Sequence, residues 1–343
     1  MKNESRILFD KYASQVAHLN GVTDPSKGFA IDPSVEQKLE TRIQEQASFL
    51  GEINVVPVDE IAGEKLGLGT TGPIASRTDT TTKDRNPRDI SDLGKDGYLC
   101  QKTDFDSYVT YKKVDLWAKF PDFQNRMRDN VIAQIARDRM MIGFNGTSHA
   151  NETDFETNEL LQDVNIGWLE KMRQNAPERV LAGLKIGDMA GADYKTIDAA
   201  VFDLVGEAID PWHRESTGLE VITGRSLIQD KYLSLVDSTN APTERRALES
   251  LIANKNIGGL KTKGVPFFPS QALMVTAPTN LSIYYQEGSR RRTIVDNAKR
   301  DRIEDYQSVN EAYVVEDYGA CAVLEGILVP NAAGDAWVNP AQQ

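Results

Sequence analysis

The stretch YKKVDLWAKFPDFQNRMRDNVIAQIARDRMMIGFNG, residues 111–146, decides how the rest of the chain is read. It reads as a strand end, a short hinge and one long helix. Pro121 stands at a first helical position, where its missing N–H is no loss, and Asp122 beside it suits the positive first turn. Phe123, Met127, Val131 and Ile135 recur every four residues, and Ile132, Ala136 and Met140 form a second row beside them. Together they predict a wide apolar stripe over 120–142, with Arg126, Asp129, Arg137 and Asp138 on the wet side. Gly143 and Gly146 are expected to end the helix. Twenty-odd residues rising about 1.5 Å each span roughly 35 Å, long for a globular helix. Taken alone, this is a core helix of an ordinary α/β protein; the flanking sequence changes that reading.

Immediately upstream, Tyr98 to Tyr111 reads as a strand, with Leu99, Phe105, Val109 and Tyr111 on one parity. INVVPV, residues 53–58, reads as another, and Pro57 places it at an edge or a bulge. Between them lies GEKLGLGTTGPIASRTDTTTKDRNPRDISDLGKDG, residues 63–97, poor in apolar residues. Two strands joined by a polar tip of this length make a very long hairpin, and such loops are rare inside compact domains unless they serve a function. A single subunit cannot bury this arm in its own core, so the arm needs another molecule to lie on.

Further out, residues 4–20 predict an amphipathic helix with Leu8, Tyr12, Val16 and Leu19 on one face, stopped by Asn20-Gly21. Residues 21–30 read as a flexible link, so the first helix is separable. Asp32-Pro33 restarts the chain as N-cap and first helical residue, and Val35, Leu39, Ile43, Ala47 and Leu50 mark the next helix. Downstream, Leu161, Val164, Trp168 and Met172 predict a helix, as do Ile197, Val201, Leu204 and Ala208. The grain then turns mixed. Strands are expected at 219–223, 272–276, 281–285 and 293–295, a helix at 243–255, and a pair of strands within 312–329 around Tyr318-Gly319.

A net charge of −12 argues against binding nucleic acid over the whole surface, since affinity for phosphates comes from clustered Lys and Arg. No run of eighteen apolar residues exists to span a membrane, and the first twenty residues lack an apolar signal core, so secretion is not expected. Cys100 and Cys321 are isolated, which predicts buried thiols in a reducing compartment. His18, His149 and His213 are far apart, leaving zinc few ligands.

Gly67, Gly69 and Gly72 match the dinucleotide pattern G-x-G-x-x-G, but Pro73 and a run of Thr and Asp follow where a helix N-terminus is required. A dinucleotide-binding enzyme is therefore the weaker alternative. Acidic residues gather at Asp301, Glu304, Asp305, Glu311, Glu316 and Asp317, without His or Cys companions, and read as a solvated or ion-paired face. Arg290, Arg291 and Arg292, with Lys299, Arg300 and Arg302, lie close by and are expected to make inter-subunit salt bridges of the kind that set register in a repeating assembly.

The segments GEKLGLGTTGPIASRTDT, VDLWAKFPDFQNR, MIGFNGTSHA, LLQDVNIGWLEKMRQNAPERV, LIQDKYLSLV, NLSIYYQEGSRRR and DRIEDYQSVNEAYVVEDYGACAVLEG carry a resemblance. They are similar, in order and across nearly the whole chain, to the major capsid proteins of peduovirus-type temperate contractile-tailed phages. The stretches 181–193 and 331–343 fit least well. The resemblance implies the α+β Hong Kong 97-like shell fold, with no catalytic residue, cofactor or metal. It implies an assembly segment at 1–31, an N-arm at 32–52, an extended hairpin at 53–112 and a spine helix at 120–142. A peripheral domain would take 113–195 and 301–330, an axial domain 196–300, and 331–343 would be a loose tail. It further implies hexamers and pentamers of an icosahedral head assembled in the host bacterial cytoplasm around double-stranded DNA as non-specific content. A scaffold/protease protein and a portal at one vertex would be partners, and no membrane is involved. Proteolytic maturation would cut within Lys27, Gly28, Phe29, Ala30, Ile31 and Asp32. Candidate inter-subunit contacts are Arg77, Lys83, Asp84, Arg85 and Arg88 on the arm, with Arg290, Arg291 and Arg292. Another phage assembly or scaffold-type structural protein is the other alternative.

Overall fold

The computed structural model describes residues 1–65, 69–70, 75–85, 91–92, 97–120, 122–228, 256–331 and 333–342. In chain order the elements begin with α1 (Asn3–Leu19), β1 (Phe29–Ala30), α2 (Pro33–Gln46), β2 (Asn54–Val58), β3 (Ala62–Glu64), β4 (Gly69–Thr70) and β5 (Ser91–Asp92). They continue through β6 (Gly97–Leu99), β7 (Gln101–Asp104), β8 (Ser107–Thr110), α3 (Tyr111–Trp117), α4 (Phe123–Asn145), α5 (Trp168–Asn175), β9 (Val180–Ala182) and α6 (Ile197–Ala208). The rest is mainly strand: β10 (Glu220–Thr223), β11 (Asn256–Ile257), β12 (Leu260–Gly264), β13 (Leu273–Thr276), β14 (Leu281–Gln286), β15 (Arg291–Asn297), β16 (Arg302–Val315), β17 (Ala322–Glu325), β18 (Val329–Pro330) and β19 (Trp337–Val338).

The chain forms two units: 1–63, 98–166 and 282–313, then 64–97, 167–281 and 314–343. The first unit is built on a sheet of order β1-β15-β16-β14-β2, with β7 and β8 also pairing with β16. β2 closes one edge, as Pro57 requires, because its residue has no N–H to give to a further strand. The long helix α4 packs against α2 and α1. Its buried side holds Met127, Ile132, Ile135, Ala136, Met140, Ile142 and Phe144, and the Phe144 ring lies 5.4 Å from that of Phe49.

The second unit carries a sheet of order β11-β12-β10-β13-β17-β9 with α6 over an aliphatic core. Val201, Leu204, Val221, Leu273, Val275 and Leu324 are fully buried there. Gly258 and Gly259 join β11 to β12 with φ of +59° and +76°, the two successive positive values that a tight hairpin turn needs. A Cβ on Gly258 would stand 2.6 Å from Val201 Cγ1, so the turn also needs glycine for space. Thr196 caps α6 by accepting from the Ala199 N–H.

Several expectations are corrected. The hinge before the long helix is itself helical: residues 111–117 form α3, since Tyr111, Val114 and Trp117 pack as a helical face into the α1 cluster. The helix begins at Phe123 behind Asp122 and passes through Gly143 to Asn145, with Gly146 as its cap. Strand 98–111 is broken into three pieces, because β7 and β8 each hydrogen-bond to a different part of β16. Helix α5 starts only at Trp168; Leu161 adopts φ +60°, incompatible with a helix start there. The strands flanking Tyr318-Gly319 do not pair with each other: β16 pairs with β15, β7 and β8, while β17 pairs with β13 and β9. The helix expected at 243–255 lies outside the described residues, as does Pro121.

Candidate assembly surfaces

The first surface is the N-terminal segment. Phe9, Tyr12 and Val16 of α1 are buried with Phe29, Ile31, Val114, Met127, Ile294 and Ile303. Leu19, expected on that face, is 55 % exposed, and Phe9 takes its place. Arg6 pairs with Asp296 at 2.8 Å, and the Tyr12 hydroxyl accepts from Arg292 at 2.8 Å. Residues 21–30 are no free tether. Phe29 and Ala30 pair with Arg292 and Arg291 on β15, and the Ile294 N–H donates to the Pro25 carbonyl at 2.9 Å. Of the residues expected to hold a cut, Lys27, Gly28 and Ala30 are exposed, while Phe29 and Ile31 are buried. Asp32 caps α2, accepting from the Ser34 N–H at 2.9 Å and from the Ser34 hydroxyl at 2.6 Å.

The second is internal. Arg139 on α4, fully buried, donates to Glu40 of α2 at 3.0 Å and to Glu311 of β16 at 2.5 Å. Arg290, also fully buried, donates to Glu40, and its Nε stands 3.5 Å from Glu36. Burial works to raise the Glu40 pKa, but the guanidiniums of Arg139 and Arg290 outweigh it and hold the carboxyl below its ordinary value. Glu36 goes the other way: burial, with Glu40 nearby, raises its pKa against the pull of Arg290 and of the Gly288 N–H. Arg290, expected at an inter-subunit contact, is thus buried with its guanidinium beside Glu40 and Glu36 of the same subunit. Arg292 forms a two-pronged pair with Asp305 at 2.9 and 2.6 Å. Only Arg291 of the three stays exposed. The neighbouring acids are ion-paired as well, but within the chain: Glu304 with Arg302, Asp305 with Arg292 and Glu311 with Arg139.

The sequence-level search missed this cluster, although a signal existed. Arg139 sits four residues after Ile135 and three after Ala136, inside the apolar stripe, and Glu36 and Glu40 precede the fully buried Ile43 at helical spacing. The expected face of α2 through Val35 and Leu39 is only half-buried.

The third surface is the hairpin. β4 and β5 pair antiparallel with Gly69 opposite Asp92 and Thr70 opposite Ser91, and β3 pairs with β6. Asp79 turns the chain by accepting from the Thr81 N–H at 3.0 Å, while its carbonyl receives the Lys83 N–H at 3.1 Å. Arg77, Lys83, Asp84 and Arg85 are exposed; Arg88 lies outside the described residues. Gly69 lies in a ladder rather than before a helix, and Gly67 and Gly72 lie outside the described residues.

Elsewhere in the first unit, a cleft of about 760 Å³ runs between α4, the β7–β8 turn and residues 149–164. Its charged lining is mainly acidic: Asp104, Asp106, Asp138, Glu152 and Glu159 against Lys102 and His149. Burial raises the pKa of both Asp106 and Asp138. Cys100 and Cys321 are buried free thiols, each pushed up to about 12 by burial, hence unreactive. No group of His, Cys, Asp and Glu suited to a metal exists among the described residues, and no described helix is long and apolar enough to cross a membrane.

The family model described as phage major capsid protein, P2 family, matches residues 8–327. The capsid protein of Escherichia phage P2 is 44% identical over 344 residues, covering 96% of each chain. The major capsid protein of Serratia phage KSP20 is 39% identical over 339 residues, covering 95% of this chain and 97% of its own. Among solved structures, a chain of the satellite phage P4 procapsid that includes the size determination protein superposes with a TM-score of 0.80 at 42% identity. It covers 96% of this chain and 99% of its own.

Proposed function

Because this chain belongs to the P2 family of phage major capsid proteins and builds the icosahedral shell of a phage head on the Hong Kong 97-like fold, we infer that it does so through an arm that lies on its neighbours. The hairpin carries this reading: a paired ladder ending in exposed Arg77, Lys83 and Arg85. The acidic cleft offers side chains of the opposite sign on a neighbouring copy. Head-to-tail contacts of this kind close into hexameric and pentameric rings. The chain acts by assembly in the host cytoplasm, without a chemical step of its own.

The same proposal takes in the parts beyond the subunit. A scaffold/protease protein would guide assembly and cut between Lys27 and Asp32, a portal would occupy one vertex, and the finished head would hold DNA. A net charge of −12 supports a container that does not grip its content. Residues 32–52 would be the arm, 53–112 the hairpin, 113–195 with 301–330 the peripheral domain and 196–300 the axial domain.

The test is electron microscopy of the chain produced with its phage's assembly proteins, wild type beside R77E/K83E/R85E. These exposed changes should alter subunit stability by no more than about 0.5 kcal/mol while abolishing uniform shells. Normal shells from the triple variant would refute the role of the arm.

A further inference from the structure

A second cavity, of about 270 Å³, lies among α1, α2 and α4 within the first unit. Its floor is apolar: Val16 from α1, Val35 and Leu39 from α2, and Ile132 from α4, with Leu19 of α1 at the mouth. Its charged lining is all basic: Lys38, Arg42, Arg128 and Arg292. No carboxylate lines it, in a chain that has 51 acidic residues against 39 basic. Two of the cations are answered inside the chain, Arg292 by Asp305 and Arg128 by Asp129 at 2.9 Å. Lys38 and Arg42 are exposed and make no ion pair or hydrogen bond among the described residues. They stand one turn apart on α2, about 6 Å along its axis.

We propose that this three-helix groove is the docking site for an acidic amphipathic helix of a partner protein. The volume of about 270 Å³ is that of a few side chains. It takes one or two apolar side chains, the anchors a helix presents at i and i+3 or i+4. The carboxylates flanking such anchors meet Lys38 and Arg42. A nucleic acid backbone would satisfy the rim but leave the apolar floor wet, since the one aromatic in the lining, Tyr12, is buried and its hydroxyl already accepts from Arg292. Leu19, exposed at the mouth, gains cover only from an apolar partner.

α1 and Ile31 form one wall, and both belong to residues 1–31. Resting on the reading of that segment as an assembly-stage piece, the groove exists only while the segment is attached. The partner therefore belongs to the stage before processing, and removal of residues 1–31 releases it.

The test places the photo-crosslinker p-benzoylphenylalanine at position 19 of the full chain, expressed from the complete genome of its phage. The expected adduct joins the chain to another protein, through a segment with apolar residues at helical spacing flanked by Asp or Glu. Its yield should fall about tenfold, a loss of about 1.4 kcal/mol, in K38E/R42E and partly in K38Q/R42Q, with circular dichroism unchanged. Adducts mainly to a second copy of the chain or to DNA, to a neutral or basic segment, or none at all, would overturn the proposal. So would a yield indifferent to K38E/R42E. Micrographs of the same cells separate the two readings: wild-type cells without shells count against the assembly reading, whereas shells without the adduct count against the groove alone.

Discussion

The two units bury different chemistry. Every buried charged side chain among the described residues lies in the first unit, where Arg139 and Arg290 share Glu36, Glu40 and Glu311. The second unit packs α6 on its sheet with aliphatic residues, and its buried polar groups are neutral, such as Thr223, Thr276 and Asn280. Apolar burial is non-directional and tolerates volume-conserving exchange. A buried ion cluster is directional: it holds only when α2, α4, β16 and the turn that carries Arg290 are all in place. The first unit thus ties α2 to α4 by geometry, while the second is held together mainly by area. The helix the chain is built around belongs to both descriptions, because its apolar stripe meets α1 and α2 while Arg139 pierces that stripe.

The largest effect expected from breaking this contrast is at Arg139. Arg139→Met keeps the bulk but leaves Glu311 without its cation and Glu40 with one instead of two. Removing one partner of a buried pair costs about 3–5 kcal/mol. Hydrogen exchange of the α4 amides should show the loss at neutral pH and a smaller loss at acid pH, where the stranded carboxylates take up protons. A cost below about 1 kcal/mol, too small for an uncompensated buried charge, would mean that the cluster does not hold the unit together.

Leu204→Ala is the matching break in the second unit. Leu204 is fully buried between α6 and its sheet, and truncation should cost about 3 kcal/mol through lost transfer energy and a residual cavity. Nothing that titrates is involved, so denaturation measured at pH 5 and pH 8 should give the same loss. A clear pH dependence there would erase the distinction between the units.

The contrast also explains what the sequence revealed. Periodicity located α1, α2, α4 and α6, and apolar runs located β10 and β13, whereas the short strands β9, β11 and β12 carry no such pattern. The polarity of residues 63–97 marked a stretch apart from the core, but the strands expected on either side of it do not pair with each other: β2 pairs with β14, and β7 and β8 pair with β16. Helix α3 was not, since seven residues carry too short a period and the preceding strand masked its start. The ion cluster was not, because a pattern of apolar residues treats Glu36, Glu40 and Arg139 as wet by type, and their partners lie up to 250 residues away. The same habit left unread the carboxylates that Arg290 and Arg292 find inside the subunit.

The subtlest break is at Glu36. The cluster holds three carboxyls against two guanidiniums, so one carboxyl is in excess, and burial raises the pKa of Glu36. Around it stand Arg290, Glu40, Tyr285 and the Gly288 N–H. A carboxyl whose folded pKa is raised contributes stability that is complete below its unfolded pKa and is lost as pH rises through the folded one. Glu40 has the opposite sign: its depressed pKa contributes stability above the unfolded value, lost as pH falls through the folded one. The attachment of α2 should therefore be firmest between the two and loosen on either side. Glu36→Gln keeps the shape of the neutral carboxyl without its titration. Hydrogen-exchange protection of the α2 amides, corrected for intrinsic rates, should then lose its alkaline decline while keeping the acid one. If the decline on the alkaline side survives in Glu36→Gln, the excess charge sits elsewhere in the unit, and α2 is not held by a carboxyl that must stay protonated.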